Sequence, residues 1–154
     1  MKKIENIQSL AEKICKAEDI ILVGHVNPDG DSVGSLMGMK GFLEALGKKA
    51  TAVVPNAYPD FLSFLDPHQQ VLLHSRTPEE VSSAVNGAHL IICMDFNSLK
   101  RIDSLGNVIA EAPCEKVLID HHPGPDPIFN LVYSYPELSS TCELVFWIIE
   151  ELSG

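Results

Sequence analysis

Apolar residues along the chain fall into two rhythms. Ile4, Ile7, Leu10, Ala11 and Ile14 recur every three or four positions, which predicts an amphipathic helix from about Glu5 to Ala17. The pattern then tightens: Ile20–Gly24 is a short β-branched run closed by glycine and reads as a buried strand. Val33, Leu36, Met37, Met39, Phe42, Leu43 and Leu46 return to helical spacing, and Gly47 stands where a C-cap glycine belongs. Lys49–Pro55 predicts a second strand, Tyr58–Asp66 a short helix and Gln70–His74 a third strand. Thr77–Asn86 carries helix-start signals, with Thr77 at the N-cap, Pro78 at the first helical position and acids in the first turn. Ala88–Asp95 is the most apolar strand candidate and Glu115–His122 is another. A last helix runs from about Ser139 to Leu152, with Ser140 and Glu143 at capping-box spacing.

Strands that alternate with helices imply right-handed crossovers. The expected fold is therefore α/β, a doubly wound, mostly parallel sheet of five strands with helices on both faces. Four prolines make Pro123–Pro136 the one loop-rich connection, to be read either as a substrate loop or as a linker. No internal repeat or low-complexity tract is visible.

Composition narrows the picture. The 154 residues suffice for one domain, with 45% hydrophobic and 21% charged residues, which argues against disorder. The formal net charge of −10 repels a polyanion, so duplex DNA is an unfavourable partner, whereas a small phosphorylated substrate needs only local cations. Cys15, Cys93, Cys114 and Cys142 are scattered without a CxxC pair, and read as reduced thiols of a cytoplasmic protein. The N-terminal pattern is that of an amphipathic helix, not a signal peptide, and no apolar run approaches the roughly 20 residues of a membrane span.

Three apolar runs end in metal-ligand residue types. Ile20–Gly24 leads to His25, Asp29 and Asp31; Leu90–Met94 leads to Asp95; Val117–Ile119 leads to Asp120, His121 and His122. In open α/β sheets ligands bind beyond the carboxyl ends of the strands, so the predicted fold brings all seven to one rim. Each piece alone has a plainer reading: an Asp after a strand is commonly a turn former, and Asp31 or Ser32 suits the N-cap of the next helix. Together they are harder to dismiss. Four converging carboxylates repel one another, and no arginine lies within the three segments. Divalent cations remove that conflict. Imidazole nitrogen with carboxylate oxygen suits Mn²⁺, Co²⁺, Fe²⁺ or Zn²⁺, while Mg²⁺ sites use fewer imidazoles. The donors are enough for two ions, an arrangement that hydrolyses phosphate esters.

His25-x-Asn27-Pro28-Asp29-Gly30-Asp31-Ser32-x-Gly34-Ser35, the isolated Asp95, and Asp120-His121-His122 resemble, in order, the first three motifs of the DHH phosphoesterase superfamily. That superfamily holds RecJ-type exonucleases, family II inorganic pyrophosphatases, cyclic-dinucleotide phosphodiesterases and nanoRNase/pAp phosphatases. Gly30, the Asp120–Gly124 stretch and Ser139–Glu143 are most similar to the nanoRNase/pAp phosphatase branch. The resemblance implies that His25 and Asp29 bind one metal, that Asp31 and His121 bind a second, and that Asp95 bridges them. It implies His122 at the scissile phosphate and Asp120 orienting an imidazole. Asn27 and Ser32 would hold the loop, or serve simply as turn and cap.

The implied activity is hydrolysis of short oligoribonucleotides or 3′-phosphoadenosine 5′-phosphate by a hydroxide activated between two divalent ions, Mn²⁺ foremost. Cyclic dinucleotides, pyrophosphate and polyphosphate are the alternative substrates, and a nucleotide-binding module without turnover is the alternative of another class. The substrate would be a small nucleotide or short single strand, with no membrane partner and the question of a homodimer open. A dinucleotide-binding Rossmann reading fails, because the loop after the first strand lacks G-x-G-x-x-G. The resemblance also implies a fourth motif, an Asp-Thr-Gly-like turn after the last helix, and a second substrate-binding domain. Neither lies before Gly154, so residues 1–154 are expected to form the metal-binding half of a longer protein.

Overall fold

The computed structural model describes residues 3–154. Six strands form one sheet: β1 (Asp19–Val23), β2 (Lys49–Val54), β3 (Leu72–Leu73), β4 (Leu90–Met94), β5 (Glu115–Asp120) and β6 (Leu131–Ser134). Their order is β3-β2-β1-β4-β5-β6 and every pairing is parallel. The order reverses between β1 and β4, which opens a crevice at the carboxyl ends of those two strands. The α/β parallel architecture is as expected, with one strand more than the five predicted. β6 lies inside the proline-rich connection, pairing through Val117↔Leu131 to Asp120↔Ser134, and its four residues are too few to show a pattern.

The helices are α1 (Ile7–Lys16), α2 (Gly30–Ala45), α3 (Pro78–Asn86), α4 (Leu105–Glu111) and α5 (Thr141–Ser153). Strand residues alternate between the two faces of the sheet. Ile20, Leu22, Ile92, Met94, Val117 and Ile119 join α1, α2 and α5 in one core, while Ile21, Val23, Ile91, Cys93 and Leu118 join α3 and α4 in the other. Both faces are covered, which is why the central strands read as unbroken apolar runs.

Local signals mostly do what their chemistry suggests. Gly47, at φ +84°, closes α2: its N–H donates to Glu44 O (2.9 Å) and that of Lys48 to Leu43 O (3.0 Å). Tyr58–Asp66, expected to be helical, forms a 3-10 turn over Asp60–Leu65. Thr77 occupies the N-cap position of α3, but its hydroxyl donates back to Leu73 O rather than capping. α4 was not foreseen; at seven residues it is too short for a clear period.

Candidate metal centre

The loop after β1 is built for close approach. A Cβ on Gly24 would lie 2.7 Å from Ser32 Oγ and 2.9 Å from Leu36 Cδ1, so only glycine lets the end of β1 pass under α2. Asn27 takes a left-handed conformation (φ +51°) and pairs reciprocally with Asn56: Asn27 N–H donates to Asn56 Oδ1 and Asn56 Nδ2 donates to Asn27 Oδ1, both at 2.7 Å. Asn27 therefore does hold the loop. Asp29 caps α2, accepting from Ser32 N–H at 2.9 Å. The residues read as candidates for that cap do something else. The hydroxyl of Ser32 is buried without a partner, and Asp31 reaches across to α5, where Oδ1 accepts from Cys142 N–H (2.8 Å) and Oδ2 from Thr141 N–H (3.0 Å).

Asp95 follows β4 with φ +66°, a left-handed backbone that costs a non-glycine residue about 1 kcal/mol or more and aims the carboxylate into the crevice. It is 3% exposed. Its Oδ2 lies 3.3 Å from His25 Nε2, and its Oδ1 lies 3.7 Å from His121 Nε2. Asp29 Oδ1 stands 3.7 Å from His25 Nε2, and Asp31 Oδ2 stands 3.6 Å from His121 Nε2. Ligand atoms of His25, Asp29 and Asp95 lie within 4.8 Å of one another, as do those of Asp95, His121 and His122.

The seven residues foreseen at the rim thus lie at the carboxyl ends of β1, β4 and β5. Asp120, fully buried, departs from the rest: its Oδ1 holds His122 Nδ1 at 2.7 Å, and its Oδ2 is buried without a partner. The His121 and His122 rings stand 4.4 Å apart at 48°. Sequence reasoning missed Asn56, Thr141 and Cys142. The helix start at Ser139–Glu143 was visible, but nothing local shows that it faces a carboxylate 110 residues away.

The donor set fits a divalent ion. Two ligand atoms about 2.1 Å from one ion and about 90–110° apart are about 3.0–3.4 Å from each other. The separations of 3.3–3.7 Å sit at or just beyond that edge and are long for hydrogen bonds. His25 Nδ1 meets Val26 O at 2.7 Å, and a carbonyl can only accept, so Nδ1 carries the proton and Nε2 is free to ligate. Among the described residues the lysine–carboxylate ion pairs, Lys13–Glu115, Lys40–Glu44 and Lys48–Glu18, all lie elsewhere.

The protonation equilibria follow from burial and from each group's immediate neighbours. Burial, reinforced by Asp31, pushes the Asp95 acid up despite the His25 ring beside it. The Asp95 carboxylate beside it raises His25 against the opposing effect of its own burial. Burial would raise Asp31 too, but the N–H groups of Cys142 and Thr141 outweigh it and hold Asp31 low.

A doubly wound sheet carrying His and Asp donors at its switch point defines an α/β protein able to hold metal at the carboxyl edge. Residues 19–154 match the DHH family, N-terminal domain, and the chain belongs to that family. It is similar in structure to an exopolyphosphatase-related protein from Bacteroides fragilis, with a TM-score of 0.96 and 39% identity over 99% of this chain and 45% of that one. In sequence it is 30% identical to the bifunctional oligoribonuclease and PAP phosphatase NrnA of Thermus thermophilus, over 96% of this chain and 42% of that protein. It is 29% identical to the cyclic-di-AMP phosphodiesterase GdpP of Bacillus subtilis, over 92% of this chain and 22% of that protein. The chain thus spans less than half the length of these relatives. Among the described residues no helix is long and apolar enough to cross a membrane.

Proposed function

We propose that residues 1–154 act as the metal-binding domain of a phosphoesterase that hydrolyses short oligoribonucleotides or 3′-phosphoadenosine 5′-phosphate, with two divalent ions, Mn²⁺ foremost. One observation carries the reading: a single buried carboxylate, Asp95, turns one oxygen to His25 and the other to His121. His25 and Asp29 would hold one ion, Asp31 and His121 the other, and Asp95 would face both. Bound there, the ions would supply activation of water and stabilisation of charge on the phosphoryl oxygens.

The protein's own groups prepare that chemistry. Val26 O anchors His25 through Nδ1 and aims Nε2 at the crevice. Asp120 Oδ1 accepts a hydrogen bond from His122 Nδ1–H, and Nε2, when the ring is the doubly protonated imidazolium, would give its proton to a phosphoryl oxygen or leaving group. Asp120, sealed from solvent, keeps that ring in one orientation. The net charge of −10 disfavours duplex DNA, so the substrate in this reading is a small nucleotide or short single strand. The cations that bind its phosphates would come from a second domain, in keeping with the greater length of the relatives.

Similarity to GdpP favours a second reading within the same chemistry, hydrolysis of a cyclic dinucleotide. A panel of dinucleotides, 3′-phosphoadenosine 5′-phosphate, cyclic dinucleotides and polyphosphate, assayed with Mn²⁺, separates the two. Asp95→Asn tests what they share, and undiminished hydrolysis by that variant would sink the two-ion assignment.

A further inference from the structure

A carboxylate serves two ions only if its plane is fixed, and the terminal torsion of aspartate is intrinsically loose. In Asp95 the left-handed backbone sets where the side chain starts, but not the rotation of its two oxygens. Among the described residues Thr141 is the sole hydroxyl or amide that donates to them: Thr141 Oγ1 meets Asp95 Oδ1 at 2.9 Å. That bond selects Oδ1 for the His121 side and leaves Oδ2 for His25. Thr141 is fully buried and is the first residue of α5, so its hydroxyl has no carbonyl of its own helix three or four residues back to compete for it. Its main-chain N–H meanwhile donates to Asp31 Oδ2 at 3.0 Å. One residue therefore spans both carboxylates, from a helix that contributes no proposed metal ligand.

We propose that Thr141 is a positioning residue that sets the rotation of the Asp95 carboxylate, and with it the capacity of the rim to hold a pair of ions. The assignment rests on the two-ion reading above. Thr141→Val removes the hydroxyl at constant shape, Thr141→Ser keeps the hydroxyl and removes the methyl, and Thr141→Ala removes both.

The test titrates Mn²⁺ into the full chain by calorimetry and follows the spin-coupled signal of an ion pair by electron paramagnetic resonance. Wild type and Thr141→Ser should take up two ions and show the coupled signal. Thr141→Val and Thr141→Ala should lose about tenfold or more in affinity for at least one ion, with the coupled signal reduced. Turnover should fall through kcat, with KM moving less than about twofold.

Two ions at wild-type affinity in folded Thr141→Val overturn the assignment and leave the two-ion reading intact. Equal losses in Thr141→Ser and Thr141→Val also overturn it, because the methyl or the packing would then be responsible. Should Thr141→Val fail to fold, Thr141→Ala set against Thr141→Ser decides, and unfolding of both hydroxyl-free variants makes the role structural and overturns it. Fewer than two ions in wild type overturn the two-ion reading and this assignment together.

Discussion

The two rims of the sheet treat buried charge in opposite ways. At the rim where the strands begin, three buried or half-buried lysines are answered by the fold. Lys116 Nζ donates to Ala112 O (2.9 Å) and Cys114 O (3.2 Å). Lys40 Nζ donates to Ala50 O (2.8 Å) and Glu44 Oε2 (2.9 Å). Lys48 Nζ donates to Cys15 O (3.0 Å). At the rim where the strands end, Asp29, Asp31 and Asp95 converge on imidazoles with no lysine or arginine paired to them among the described residues. Lysines that cap carbonyls stabilise the fold. A carboxylate raised by burial and by a neighbouring acid, as Asp95 is, costs stability, a pattern characteristic of functional sites.

That contrast predicts a separation of effects. The largest belongs to Asp95→Asn, which should lower the proposed phosphoesterase turnover by about 10³-fold, since ions clamped at a reacting phosphate would be worth several kcal/mol. Its thermal midpoint without metal should be equal to or above wild type, because a buried charge held against its preference is gone. A scanning-calorimetry comparison with and without Mn²⁺ checks both halves; a large loss of metal-free stability would move Asp95 to the structural side. His122→Ala comes next, at about 10²-fold in kcat, with ion stoichiometry unchanged. Loss of ions in that variant would make His122 a ligand rather than a proton donor. Smallest at the active rim, but decisive at the other, is Lys116→Met. It strands one buried and one half-buried carbonyl and should cost about 2 kcal/mol in denaturant unfolding while kcat stays at the wild-type value.

The same contrast explains what could be read from the residues alone. His25, Asp95 and Asp120–His122 each follow an apolar strand directly, so a parallel sheet suffices to place them on one edge. The grip of α5 on Asp31 and Asp95 spans 110 and 46 residues, and no local rule announces it. By position Asp31 suits the cap of its own helix, yet it accepts from the first turn of another, and Asp29 takes the cap instead. β6 is hidden in the sequence for a related reason. Leu131–Ser134 sits between Pro127 and Pro136, and its strand character comes from pairing with β5 rather than from its own pattern.

Crystals grown with Mn²⁺ and measured for anomalous scattering test the central claim most directly. Two peaks roughly 3.5–4 Å apart are expected, one beside His25 and Asp29, one beside Asp31 and His121, with an Asp95 oxygen on each. A single peak, or a pair that leaves Asp95 untouched, would contradict the account.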